Sequence, residues 1–180
     1  AASGVRGQGS GVRIQYIEQW YDFPPYIDAL VELIAKGISE FTTFPDILYS
    51  AHSLPQSFID EGDPYLEHIK STITAVNSSL VTRHSLLVKW HLSFQSRSGT
   101  VKWLRPATDE TIIKLAKEGV KNLLVVPISF VSDHVETLYE IDILYKELAG
   151  RHGINFKRCK SLNTSEKFIN ALKELVMKEM

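Results

Sequence analysis

The nine residues from 122 to 130, NLLVVPISF, form an almost uninterrupted apolar run. A strand with one exposed face alternates between polar and apolar residues, whereas a strand covered on both faces is apolar at consecutive positions. Strands of the second kind are typical of parallel sheets that carry helices on both sides. Pro127 cannot donate a hydrogen bond to a neighbouring strand, so we expect it at a bulge or near the strand's end. This run therefore predicts an inner strand of a parallel sheet.

The rest of the chain alternates strand-like and helix-like segments. Predicted strands are residues 46–51, 85–94, 122–130 and 155–162, and predicted helices are residues 26–41, 63–80, 108–119, 133–150 and 165–179. Asp63 is the expected cap of the second helix, and Gly119 is expected to end the third. Residues 12–20, VRIQYIEQW, are compatible with a further short strand. The alternation predicts an α/β fold with a four-stranded parallel sheet and helices on both faces.

Composition narrows the class of protein. The chain has 180 residues, 44% of them hydrophobic, and a net charge of -1, so it has no broad electrostatic footprint for nucleic acid. The lone cysteine cannot form an internal disulfide or a multi-cysteine metal site. Neither a membrane span nor a signal-peptide core is recognisable. We expect a soluble protein with a glycine-rich loop or cut end at residues 1–11 and one α/β domain at residues 12–180.

Polar and reactive side chains follow the predicted strands at their carboxyl ends. The segments are AHSLPQS, QSRSGTVKWLRP, SFVSDHVETLYE and SLNTS, whereas the connections at the opposite edge are plainer. Ligands of open parallel sheets bind outside the carboxyl ends of the strands. His52 comes directly after the strand DILYSA, between small residues. This asymmetry predicts a functional site at the carboxyl edge of the sheet.

Each of these residues also has a purely structural interpretation. His52 could simply hydrogen-bond a backbone group, and Asp133 with Glu136 three residues later matches a capping box. On a regular α-helix, His134 and Glu136 would point about 200° apart, whereas Glu136 and Glu140 share a face. A cation or a proton would relieve the repulsion between those two carboxylates. One imidazole with one or two carboxylates suits a divalent metal that is handled transiently, since a closed structural site needs more ligands.

Four segments carry a resemblance to a known family. They are YSAHSLPQSFIDEGDPY, FQSRSGTVKWLRPATDETI, NLLVVPISFVSDHVETLYEIDI and SLNTSEKFINAL. In these segments and their order the sequence resembles the ferrochelatases, which insert ferrous iron into a porphyrin to make haem. The resemblance covers roughly residues 12 to 180. It implies a chelatase-type fold of two flavodoxin-like or Rossmann-like lobes with a porphyrin cleft between them. Only the C-terminal lobe of such a fold is recognisable here.

The resemblance also implies roles for individual residues. His52 and Glu136 would face each other, coordinating the incoming iron or taking protons from the pyrrole nitrogens; which residue has which role stays open. His134 and Glu140 would belong to an acidic path that leads protons or metal from the site.

Three further residues, Trp103, Phe94 and Ser53, are expected to face the porphyrin. By composition alone, Trp103 and Phe94 could equally be core residues. Thr100 stands where many family members have proline, which affects the expected shape of that loop.

The expected substrates are ferrous iron and a porphyrin, most simply protoporphyrin IX, although a coproporphyrin is compatible with the sequence. No cofactor and no iron–sulfur cluster are expected, since the family's C-terminal cysteine cluster is not recognisable. The N-terminal lobe is the expected protein partner. The resemblance favours a cytoplasmic, bacterial-type protein and leaves open a peripheral contact with the inner membrane, as well as a mitochondrial or plastid location.

Other functions are compatible with the same sequence. The chain could be a non-catalytic metal- or porphyrin-binding α/β module, or a chelatase for another tetrapyrrole or metal. A flavodoxin-like nucleotide-binding module is a weaker alternative, because no glycine-rich loop follows any predicted strand.

The helix after PISFVSDH raises a conflict between local geometry and resemblance. A regular helix separates His134 from Glu136, yet the resemblance places both along one path. We therefore predict a π-type bulge between His134 and Ile143, which would bring Glu136, Glu140 and His134 to one wall. Leu138 and Ile141 would then turn toward the sheet. The capping-box alternative predicts a plain helix with Glu136 folded back onto the N–H of Asp133.

Overall fold

Four strands form one fully parallel sheet in the computed structural model, which describes residues 14–178. They are β1 (Asp46–His52), β2 (Trp90–Gln95), β3 (Asn122–Pro127) and β4 (Asn155–Arg158), in the order β2-β1-β3-β4. The apolar run lies in β3, between β1 and β4, and residues 123–127 are buried. Pro127 is the last residue of β3, where it costs the sheet no inner hydrogen bond. The predicted fold class is confirmed.

Within residues 14–178, six α-helices and one π-helix connect and cover the strands. They are α1 (Pro24–Ser39), α2 (Gln56–Asp60), α3 (Tyr65–His84), α4 (Thr108–Lys117), the π-helix (Thr137–Tyr145), α5 (Lys146–Arg151) and α6 (Glu166–Met177). Asp63 acts as predicted at the start of α3, because its carboxylate accepts a 2.8 Å hydrogen bond from the N–H of Tyr65. Gly119 follows α4 with a φ of +89°, a conformation that glycine adopts at no steric cost.

The two faces of the sheet have separate cores, because successive side chains of a strand point to opposite faces. Ile47, Tyr49 and Ala51 of β1 pack with residues of α1, α3 and α6. Leu48 of the same strand packs with residues of α4, the π-helix and α5, among them Ile141. We call the second side the π-helix face. Ser50 and His52 follow Leu48 at steps of two, so they lie on this face as well.

Some predicted elements differ in the structure. Residues 14–20 are not a strand, because Trp20 packs against helical rings instead, with centroids 4.9 Å from Tyr26 and 6.1 Å from Phe168. The strand predicted from residue 85 begins only at Trp90, and Leu87 before it is 87% exposed. The short helix α2 directly after Pro55 was not predicted. Residues 1–13, which include the glycine-rich segment and the start of the predicted first strand, lie outside the described residues.

Across residues 14–178, no helix combines the length and the apolar character that crossing a membrane requires.

Candidate active site

His52 lies at the carboxyl end of β1, as predicted, although the strand extends one residue further than predicted and includes it. Its backbone is held from both sides. Its N–H donates to Oγ of Ser129 at 2.8 Å, and its carbonyl accepts a 2.8 Å hydrogen bond from the hydroxyl of Tyr65. The imidazole is 34% exposed. A rigid strand and two side-chain hydrogen bonds thus aim this ring over the carboxyl edge of the sheet.

Glu136 lies against this ring. Its Oε2 is 3.3 Å from Nδ1 of His52, and its side chain is 45% exposed. The two atoms are within ion-pair distance without being aligned for a hydrogen bond, since the buried Nδ1 has no hydrogen-bond partner among residues 14–178. The structure therefore brings together the two residues that the resemblance placed face to face.

A π-helix begins directly after Glu136 and contains Glu140, so the predicted π-type bulge is confirmed. The N–H of Lys146 at its end donates to the carbonyl of Ile141, five residues earlier. Thr137 and Ile141, four residues apart in the π-helix, are fully buried, and so is Ala149 in α5. Ile141 and Ala149 belong to the core of the π-helix face.

One expectation about this helix was wrong. Leu138 does not turn toward the sheet but is 45% exposed, whereas Ile141 is fully buried as predicted. The capping box does not form either. The N–H of Asp133 donates to Oδ1 of Asn163 at 2.8 Å, so a neighbouring segment supplies the acceptor that Glu136 would have supplied.

His134 lies next to the pair and is fixed by its own turn. Its N–H donates to Oγ of Thr137 at 3.0 Å, and that hydroxyl donates back to the His134 carbonyl at 2.9 Å. Its Nδ1 accepts from the N–H of Glu136 at 3.3 Å, which places the proton of the neutral ring on Nε2. Phe130 lies between the two imidazoles, with its centroid 4.1 Å from that of His134 and 5.8 Å from that of His52.

Glu140 is tied to the end of the neighbouring strand. Its Oε2 accepts a 2.6 Å hydrogen bond from the hydroxyl of Ser96, which directly follows β2. Glu136 thus meets the end of β1, and Glu140 meets the end of β2. The two carboxylates form one wall along the carboxyl edge. That this wall conducts protons or metal stays a prediction.

The predicted porphyrin-facing residues separate into two groups. Trp103 is partly exposed, and its indole N–H donates to the carbonyl of Ser98 at 2.9 Å. Phe94 is 2% exposed, and Ser53 is fully buried with its hydroxyl directed at the carbonyl of Leu104. In this structure Phe94 and Ser53 are core residues with no surface to offer a ligand. The expectation of direct contact is corrected for these two, because Phe94 belongs to the core on the face opposite the π-helix and the Ser53 hydroxyl is directed at the Leu104 carbonyl.

Sequence reasoning missed the residue that anchors the π-helix. Arg158, the last residue of β4, is 11% exposed and donates to Asp133 at 2.6 Å and to Asp142 at 2.8 Å. Burial by itself would raise the pKa of Asp133, but the Asn163 hydrogen bond and the charge of Arg158 outweigh it and lower that pKa. The sequence signal that could have found it was a charged residue, Arg158, within the predicted strand 155–162.

The arrangement suits transient handling of a cation and of protons. Among residues 14–178, no three histidine, cysteine or acidic side chains cluster as a metal-holding group. His52 and Glu136 supply one nitrogen and one oxygen ligand, so most positions around a divalent ion would stay open. An imidazole is also a base near neutral pH.

Comparisons with known proteins agree with the residue pattern. The family model described as Ferrochelatase matches residues 2–180. A ferrochelatase of Geotalea uraniireducens is 53% identical over 94% of this chain and 53% of its own length. A ferrochelatase of Synechocystis is 47% identical over 89% of this chain and 42% of its own length. The chain thus spans about half the length of these curated relatives.

The fold is similar to that of a solved protein structure. A putative cobalamin (vitamin B12) biosynthesis CbiX protein from Marinobacter aquaeolei VT8 aligns with a TM-score of 0.50 and 15% sequence identity. The alignment covers 74% of this chain and 95% of that chain. This likeness concerns the fold alone.

Proposed function

Because the chain belongs to the ferrochelatase family, we propose that it forms the C-terminal half of an enzyme that inserts ferrous iron into a porphyrin during haem biosynthesis. The observation that carries this proposal is the 3.3 Å contact between Nδ1 of His52 and Oε2 of Glu136 at the carboxyl edge of the sheet. Two pyrrole protons must leave as the metal enters. A base and a labile oxygen ligand, side by side at an open edge, meet both requirements.

His52 and Glu136 share the two tasks of proton acceptor and iron ligand. Imidazole is basic enough to take a pyrrole proton near pH 7. The Glu136 carboxylate offers Fe²⁺ an oxygen ligand that it can leave again. Glu140, held by Ser96, is the next carboxylate along the wall and would accept protons or metal released by His52 and Glu136. Trp103 would contact the porphyrin at the rim.

A second lobe would complete the cleft. The chain covers 53% of the length of its Geotalea relative, so the part of that relative outside the match is about as large as this chain. A porphyrin is planar and resists a metal at its centre, and a rigid cleft with two walls can distort it. This lobe supplies one wall. We propose that the N-terminal half supplies the other and decides between protoporphyrin IX and porphyrins with more carboxylates.

The proposal includes no cofactor and no iron–sulfur cluster. Iron enters as a substrate. The one cysteine of this chain, Cys159, is 4% exposed, and burial raises the pKa of its thiol to about 12, so it does not offer a thiolate ligand. A bacterial-type cytoplasmic location, with a peripheral contact at the inner membrane, belongs to the same hypothesis.

The test joins this chain to the N-terminal half of the Geotalea relative. Absorbance spectra would follow a porphyrin mixed anaerobically with Fe²⁺ and the joined protein. We expect steady formation of the iron porphyrin. The intact Geotalea relative is the positive control, and its N-terminal half alone is the negative control. A folded joined protein without turnover, beside an active positive control, would refute the proposal. Zn²⁺ and Co²⁺ in the same assay would test for a chelatase of another metal.

A second candidate concerns the 180-residue chain on its own. Because it spans about half the length of its relatives, the isolated lobe is a candidate metal- or porphyrin-binding module without catalysis. This candidate predicts a change in the porphyrin spectrum on binding, with no iron porphyrin formed over time. Steady turnover by the isolated chain would exclude it.

A further inference from the structure

A buried polar network lies beneath the candidate site on the π-helix face. Gln95, Ser50, Ser93 and Thr108 are all at most 1% exposed. The hydroxyl of Ser50 donates to Oε1 of Gln95 at 2.7 Å and contacts that of Thr108 at 3.1 Å, and Thr108 contacts Ser93 at 2.9 Å. Burying so many polar groups in a core costs free energy unless they are paired. The network therefore orients the Gln95 carboxamide.

Gln95 is the direct neighbour of His52 across the sheet. The two residues are register partners in the parallel pairing of β1 with β2. Both lie on the π-helix face, because His52 is two residues from Ser50 and Ser50 binds Gln95. Neighbouring strands are about 4.8 Å apart, so the two side chains start from adjacent points beneath the π-helix.

Each of these neighbours has one buried polar atom without a hydrogen bond. They are Nε2 of Gln95 and Nδ1 of His52, and neither has a partner among residues 14–178. Oε1 of Gln95 is already taken by Ser50, so its amide N–H groups are what remain. Buried polar groups in native proteins are nearly always paired, if necessary by an internal water that makes about three hydrogen bonds. Two such atoms on adjacent positions fit one shared partner.

We propose that Gln95 is a positioning residue for iron insertion: it holds one ordered water between its Nε2 and Nδ1 of His52, with Oε2 of Glu136 as the third partner. The water accepts from the Gln95 amide and from the His52 Nδ1–H, and it donates to the Glu136 carboxylate, 3.3 Å from Nδ1. This inference rests on the proposed function for its role in catalysis.

The water would fix which imidazole nitrogen is reactive. A proton held on Nδ1 leaves the lone pair of the neutral ring on Nε2. His52 is 34% exposed and Nδ1 is buried, so Nε2 is on the open edge of the ring. Both assigned tasks, coordinating iron and accepting a pyrrole proton, need that lone pair. Gln95 thus acts on the substrate only through His52.

The experiment uses this chain joined to the N-terminal half of the Geotalea relative, which we call the two-lobed protein. The substitution is Gln95→Met, which keeps the side-chain length and removes the amide. We expect kcat to fall roughly 10- to 100-fold, as for other groups that orient a reactive ligand, with KM for the porphyrin unchanged. Thr72→Val is the matched control. It removes a buried hydrogen bond to the carbonyl of Tyr21 on the opposite face of the sheet and should keep the wild-type kcat.

Two measurements need no turnover. Nitrogen-15 NMR of the His52 ring should show the Nδ1–H tautomer in the wild type and a shift toward Nε2–H in Gln95→Met. A high-resolution crystal structure of the wild type should show the water within hydrogen-bond distance of Gln95 Nε2 and His52 Nδ1. Wild-type density without this water, or an unchanged tautomer in the variant, would overturn the inference, even if the variant is too unstable for kinetics.

The kinetic outcomes separate the inference from the function on which it rests. If Gln95→Met has the same kcat as an active wild type, the positioning role is refuted and the proposed function stands. An inactive wild-type two-lobed protein would defeat the proposed function. The tautomer and the crystal structure would still decide whether Gln95 holds the water.

Discussion

The hydroxyl of Ser96 donates a 2.6 Å hydrogen bond to Oε2 of Glu140, joining the residue that follows β2 to the π-helix. Ser96 adopts a φ of +65°, in the left-handed region that non-glycine residues seldom occupy. The backbone turn and the hydrogen bond together hold a carboxylate at the carboxyl edge. This contact supports the wall of Glu136 and Glu140.

Ser96→Ala should loosen this wall, because it removes the hydroxyl and keeps a Cβ at the same positive φ, so the backbone cost is unchanged. Loss of the charged hydrogen bond should lower the free energy of unfolding by about 1 kcal/mol, measured by urea denaturation. Ser98→Ala is the control, since Ser98 is exposed and, among residues 14–178, contributes only its carbonyl to a hydrogen bond. Equal stabilities of the Ser96→Ala and Ser98→Ala variants would show that the contact with Glu140 contributes nothing.

His52→Ala should abolish iron insertion in the two-lobed protein while leaving the lobe folded. The imidazole is 34% exposed and its backbone hydrogen bonds do not depend on the ring, so the free energy of unfolding should change by about 1 kcal/mol or less. Iron porphyrin formation and thermal unfolding measure the two effects.

His91→Ala is the matched control for that substitution. His91 is another partly buried histidine of the sheet, and its Nε2 is 2.8 Å from Asp46 at the start of β1, far along the strand from the site. This variant should keep its activity despite some loss of stability. Normal turnover by His52→Ala would refute the role assigned to His52.

Arg158→Met should destabilise the fold and loosen the π-helix. The guanidinium is 11% exposed, and its removal leaves Asp133 and Asp142 without their cation. Breaking a buried ion pair from one side costs about 3 kcal/mol, and screening of the 38% exposed Asp142 moderates this value. Arg158→Lys should restore only part of the loss, because an ammonium cannot reproduce the fork of donors.

Urea denaturation would measure the loss of stability in both variants, and amide hydrogen exchange would report on the π-helix. We expect faster exchange at residues 137–145 in Arg158→Met. A loss of stability no larger than that of an exposed ion pair, about 1 kcal/mol or less, would contradict the anchoring role.

The free energy of unfolding of the lobe should depend on pH through the ionisation of Asp133. Its pKa lies below the unfolded value of about 3.9, because the Asn163 hydrogen bond and the charge of Arg158 outweigh the opposing effect of burial. A lowered folded-state pKa adds stability that is fully present above pH ~4 and is lost as the pH falls through the folded-state value. Denaturation of the wild type and Asp133→Asn should therefore differ most at pH ~6 and converge toward pH ~2. A difference that stays constant over this range would argue against the ionised Asp133 as the cause.

Local patterns predicted most of the fold. The run NLLVVPISF became the inner strand β3, and helical spacing located every long helix to within a few residues. Periodicity carries this information because it records which faces of an element avoid water. The placement of His52 followed from the same principle, since the end of a strand can be read from where the apolar residues stop. A regular helix separates His134 from Glu136, whereas the family resemblance places both along one path, and this conflict also pointed correctly to the π-helix.

The sequence by itself thus determined the parallel α/β sheet, the position of His52 at its carboxyl edge and the departure from regular helix near Glu136. Only the tertiary structure decided that Phe94 and Ser53 are buried, that Arg158 holds Asp133 and Asp142, and that Gln95 is the neighbour of His52. These facts depend on which strands pair and in which register. A hydrogen bond or a covered surface between residues far apart in the chain leaves no periodic signal in either segment, because each is selected for a partner that only folding brings near.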